Sequence, residues 1–91
     1  MAAVRIPPTL RADVGGARQL SAEGATVGEV LDDLVERYPP LAAQLLQDGE
    51  LAPFVNVFVG GEDVRTQDGL ETSVGDADQV ILLPAMAGGA L

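Results

Sequence analysis

Apolar and polar positions divide the 91 residues into a series of short elements. Residues 2–6, AAVRI, predict a first strand. Pro7 and Pro8 stop it, because neither supplies an N–H to a ladder. Gly15-Gly16 turns the chain into residues 17–22, ARQLSA, a second predicted strand, and leaves 7–16 as a loop with room for one helical turn. From Thr26 the period changes. TVGE reads as a capping box, with Thr26 as N-cap and Glu29 reaching back. Val27, Val30, Leu31, Leu34 and Tyr38 then recur at helical spacing, while Asp32, Asp33 and Glu36 fall off that stripe. Pro39-Pro40 ends this helix. Residues 41–47, LAAQLLQ, predict a second short helix closed by Asp48-Gly49. Residues 54–59, FVNVFV, are β-branched and aromatic and predict a strand. Gly60-Gly61 followed by EDV suggests a hairpin into a short edge strand. Residues 66–78 are turn-rich, and 79–83, QVILL, predict a last strand ended by Pro84.

The order is strand, strand, helix, short helix, strand, strand, strand. One helix covers one face of a mixed sheet. The expected class is therefore α+β: a β-grasp, or ubiquitin-like, fold with four to five strands wrapped around one main helix plus a short second helix. Residues 1–84 form the expected domain and 85–91 a flexible tail.

The strands carry more apolar surface than one helix can cover. Val80 and Leu82 point to one side of the last strand, Ile81 and Leu83 to the other. In the third strand Val55, Val57 and Val59 oppose Phe54, Asn56 and Phe58. The second face is either covered by residues 41–53 or left as a surface for a partner, since an exposed apolar patch more often marks an interaction site than a defect. The alternation leaves both open.

Composition narrows the chemistry. Fourteen acids against five bases give a formal charge of −9. That opposes nucleic acid and anionic membranes, which need a basic surface, and suits encounter with a basic partner. There is no Cys and no His, which removes disulfides, thiolate nucleophiles, the usual zinc sites and the commonest general base. All five bases are Arg. A nucleotide-composition bias explains this, as does avoidance of internal amines that could attack an activated end. No apolar run is long enough to span a membrane, and the first ten residues lack a secretory h-region, so a cytoplasmic location is expected. Asp32-Asp33 and Glu62-Asp63 are adjacent acids that do not face one another and read as solvated surface. Asp76-x-Asp78 lacks the further oxygen ligands of a calcium loop and reads as a turn.

The ending LLPAMAGGAL remains. Two other Gly-Gly pairs, Gly15-Gly16 and Gly60-Gly61, lie at internal turns, so glycine content alone distinguishes nothing. Gly88-Gly89 differs in following a β-grasp strand by six residues of mostly small side chains. Extended, Pro84 to Gly89 reaches roughly 20 Å, and glycine permits close backbone approach in a narrow channel. This element order, the LPAMAGG ending and the central FVNVFVGGEDVR resemble the MoaD/ThiS family of ubiquitin-like sulfur carriers, and within it the cysteine-biosynthetic carriers of actinobacteria. The resemblance covers nearly the whole chain. It implies a carrier rather than an enzyme. Gly89 would bear the sulfur, with Gly88, Ala87 and Pro84 recognised in the tail. Leu83 would contact partners, and Ile81 and Phe58 join it by the alternation above. The implied partners are an E1-like adenylating enzyme, which uses ATP while the carrier itself binds no cofactor, and a sulfur-accepting synthase. Ala90-Leu91 departs from the family pattern, which ends on the glycine. Either a JAMM-type protease removes the two residues or they were added by cloning. Two other functions fit the same pattern: the small subunit of molybdopterin synthase, and a β-grasp protein-binding module that carries no sulfur.

Overall fold

The computed structural model describes residues 2–84. Strand β1 (Ala2–Arg5) pairs antiparallel with β2 (Gln19–Ala22), with Ala2 opposite Ala22 and Arg5 opposite Gln19. The expected single helical turn between them is a longer 3-10 helix, Pro8–Val14, whose buried Leu10 and Val14 plug one end of the core. Proline favours such a start, and Gly15 and Gly16 close it at φ 68° and 85°, where a side chain would be strained.

Helix α1 (Val27–Arg37) begins as its sequence dictates. The Thr26 hydroxyl accepts the Glu29 N–H at 3.2 Å. The Glu29 carboxylate reaches one residue further back than the ideal box and accepts the Ala25 N–H at 2.8 Å. Val27, Val30, Leu31 and Leu34 are fully buried. Thr26→Ala leaves an orphan N–H at this terminus and is expected to cost about 1 kcal/mol, read as a lower urea midpoint at unchanged slope.

Residues 41–47 do not form one helix. Helix α2 stops at Leu45 (Leu41–Leu45), and the next residues form β3 (Leu46–Gln47), paired with β4 (Glu50–Leu51) in a separate hairpin. Its turn is Asp48-Gly49, with φ 55° and 80°. These are the two left-handed positions that a tight hairpin turn demands and that Asp-Gly supplies. Leu41, Leu45 and Ala52 are buried in the main core.

Strand β5 (Val55–Val59) turns through Gly60-Gly61 into β6 (Glu62–Asp63), and Val64 passes into a 3-10 turn (Val64–Thr66) rather than extending the strand. A second such turn (Gly69–Glu71) follows, and then β7 (Gln79–Pro84). The sheet order is β2-β1-β7-β5-β6, with β7 parallel to β1 and antiparallel to β5. The architecture is thus an α+β β-grasp: a five-stranded mixed sheet around one main helix. The first and last strands lie side by side at its centre. Val4, Val57, Val80 and Leu82 meet the apolar stripe of α1 in one core.

The outer edge of β2 is closed by the helix. Asp33 Oδ2 accepts the Glu23 N–H at 3.1 Å, and Arg37 donates to the Ser21 carbonyl at 2.6 Å, while the two side chains pair with each other at 3.0 Å. Free strand edges template pairing with other chains, and here two of the free groups are taken by side chains of the same molecule.

Candidate functional site

The central position of β7 decides what its alternate side chains do. Val80 and Leu82 are fully buried beneath α1, whereas Ile81 and Leu83 point away from the helix. Ile81 sits directly opposite Phe58 of β5, and Leu83 opposite Asn56. The structure therefore brings Leu83, Ile81 and Phe58 together on the outer face of the sheet. Leu83 is 42% exposed, and Ile81 and Phe58 are half-buried. Residues 41–53 do not cover this face, because their apolar side chains enter the core on the helix side.

Alternation places Phe54 beside Phe58, but β5 begins only at Val55. Phe54, 47% exposed, instead helps line a narrow cleft of about 60 Å³ with Pro7, Leu10, Gln44 and Pro84. Pro84 is the last residue of β7, half-buried opposite Val55. Phe54 therefore stands beside the point from which residues 85–91 depart, and Pro53 in front of it was the available signal for an early break in the strand. Ala87, Gly88, Gly89, Ala90 and Leu91 lie outside the described residues.

Two arginines border the apolar trio. Arg5 lies opposite Ile81 across the β1–β7 pairing. Together with Arg11, Pro7, Ile81 and Leu83 it lines an open groove of about 270 Å³. Arg11 is held there by donating its Nε–H to the Ile6 carbonyl at 3.1 Å. Residue-by-residue reading missed these cations.

The acidic candidates resolve into structural roles. Asp33 pairs with Arg37. Asp63 accepts the Arg65 N–H at 2.8 Å, and Asp78 accepts the Gly75 N–H at 2.8 Å, closing the turn before β7. Among the described residues no group of three acids is placed to hold a metal ion, and no helix is long and apolar enough to cross a membrane. Tyr38 is half-buried, with the Arg37 guanidinium 5.8 Å from its ring centre.

The site is thus an apolar patch bordered by Arg5 and Arg11 on its β1 side and by Asp63, opposite Phe58, on its β6 side, at the end of the strand that leads into the Gly-Gly tail. Residues 4–89 match the ThiS family. The chain is 44% identical over 89 residues to the sulfur carrier protein CysO of Mycobacterium tuberculosis, covering 94% of this chain and 96% of that one. It is 45% identical over 67 residues to small archaeal modifier protein 3 of Haloferax volcanii, covering 74% and 73%. Among solved structures, the Amycolatopsis orientalis BexX/CysO complex superposes with a TM-score of 0.89 at 42% identity, covering 93% of this chain and 96% of that chain.

Proposed function

Because the chain belongs to the ThiS family, we propose that it is a sulfur carrier whose working group is the carboxylate of Gly89. The observation that carries this reading is that the family match runs through the fold and ends at Gly89, two residues short of Leu91. The likeness to CysO along nearly the whole chain supports it.

A carboxylate is a poor electrophile and must be activated from outside. In the proposed sequence an E1-like enzyme directs the Gly89 carboxylate oxygen onto the α-phosphorus of ATP. The O–P bond forms as pyrophosphate leaves. A sulfide nucleophile then attacks the carbonyl carbon, the bond to AMP breaks, and Gly89 is left as a thiocarboxylate ready to pass its sulfur to an acceptor in biosynthesis. The chain contributes no acid or base to these steps, which suits a sequence without His or Cys. It contributes reach, through Pro84 to Gly89, and a handle, through the patch around Leu83. Ala90 follows Gly89 in this sequence, so the Gly89–Ala90 bond must be hydrolysed before loading, a task for a JAMM-type peptidase.

Intact mass spectrometry of the chain ending at Gly89, after incubation with ATP, sulfide and the E1-like enzymes of the source organism, tests this reading. The expected result is a gain of the oxygen-to-sulfur mass difference on the C-terminal peptide. If every such enzyme leaves the mass unchanged, the carrier reading is lost.

A second reading draws on the likeness to small archaeal modifier proteins: the same activated glycine would be transferred to an amine of a target protein. Such a modifier could not build chains on its own lysines, because it has none. Target-linked adducts rather than a thiocarboxylate would mark this outcome.

A further inference from the structure

Charge is unevenly divided over the molecule. The first eighteen residues hold Arg5, Arg11 and Arg18 against one acid, Asp13, while the remaining chain holds thirteen acids against two arginines. The fold carries two of these three arginines to the apolar face, with Asp63 opposite Phe58 at its β6 edge. Parallel pairing places Arg5 beside Ile81 on the outer face. Arg11 lines the groove that contains Ile81 and Leu83. Arg18 pairs with Ile6, whose N–H donates to the Arg18 carbonyl at 2.9 Å, and so shares the parity of Leu20 and Ala22 on the helix side. Arg37 on α1 is engaged with Asp33 and the Ser21 carbonyl, and Arg65 with the Ala52 carbonyl and with Asn56, the residue opposite Leu83. Arg5 is exposed, and among the described residues its side chain forms no hydrogen bond or ion pair. Acids such as Asp32 and Glu36 are exposed on α1, across the sheet.

We propose that the surface docking on this face is an apolar depression rimmed by carboxylates on the adenylating enzyme. The depression would receive Leu83, Ile81 and Phe58, and the carboxylates would meet Arg5 and Arg11. The proposal rests on the carrier reading above and names the chemistry of its first partner. It reverses the expectation from net charge, which pointed to a basic partner. At physiological salt, fields fade within about 8 Å, so charges on the contacting face outweigh those behind the sheet. Guanidinium groups pair with carboxylates in two-pronged geometry, and complementary charge acts mainly on association rate.

The test uses the chain ending at Gly89 and the E1-like enzyme that loads it. Association is followed by interferometry at low and high salt. The Arg5→Glu/Arg11→Glu double variant is expected to associate about tenfold more slowly or worse at low salt, with the difference shrinking at high salt. An Asp32→Arg/Glu36→Arg variant on the helix side is expected to stay within about twofold of wild type. Circular dichroism shows that each variant folds. If the double variant associates as fast as wild type while Leu83→Asp does not bind, the acidic-rim proposal falls and the docking face stands. If neither change affects binding, docking occurs elsewhere and the proposal falls with it. The sulfur-loading experiment judges the carrier reading separately, because its readout is mass rather than affinity.

Discussion

Leu83→Asp is expected to abolish sulfur loading of Gly89 and to leave the unfolding transition of the free protein in place. Leu83 is 42% exposed and lies on the face away from the core. A carboxylate there stays hydrated in the free chain, and surface changes of this kind shift stability by only about ±0.5 kcal/mol. Docking changes its situation. Against an apolar partner surface the new charge loses its water without gaining a cation, at a cost of several kcal/mol, and each ~1.4 kcal/mol is a factor of ten in affinity. The rate of thiocarboxylate formation, followed by intact mass, reads the effect, and a thermal scan checks the fold. Loading at the wild-type rate would remove Leu83 from the docking surface.

The preceding residue predicts the opposite outcome. Leu82→Ala is expected to destabilise the domain by about 2–5 kcal/mol without touching the docking face. Leu82 is fully buried in the central strand, between Val57 of β5 and the apolar stripe of α1. Truncation removes its contacts and leaves a cavity that a strand paired on both sides cannot collapse to fill. Small domains hold a net stability of only about 5–15 kcal/mol, so the loss is a large share of the whole. Urea unfolding would show a much lower midpoint at unchanged slope. A midpoint equal to that of the wild type would mean that Leu82 does not contribute to the core. Two neighbouring leucines are thus expected to separate stability from loading, because the strand period of two sends them to opposite faces.

The facing of the two side chains was legible in the sequence. The alternation in 79–83 and 54–59 assigned the faces correctly except at Phe54, which precedes the strand, and the TVGE box with its apolar stripe located α1. These signals are local: a cap spans four residues and a strand period two. What failed was also local, but ambiguous. Leu41, Leu45 and Leu46 satisfy helical spacing, so Leu46-Gln47 read as helix. A two-residue strand is too short to display alternation, and Asp48-Gly49 serves equally as a helix stop and a hairpin turn. The arginine border was illegible for a different reason. Arg5 meets Ile81 only because the first and last strands pair in parallel, a contact that no window along the chain contains. For the tail, sequence and family likeness alone speak, since Gly88 and Gly89 lie outside the described residues.

The parallel pairing of β1 with β7 also has a mechanical meaning. The chain enters at the start of β1 and leaves from the end of β7, and these ends lie at opposite poles of neighbouring strands. A pull on the tail against the N-terminus therefore runs along the ladder, and its bonds share the load together instead of opening one by one. The β5–β7 ladder on the other side is loaded in the same direction. A tail drawn into a tight channel is thus anchored in the part of the sheet best arranged to withstand the tug.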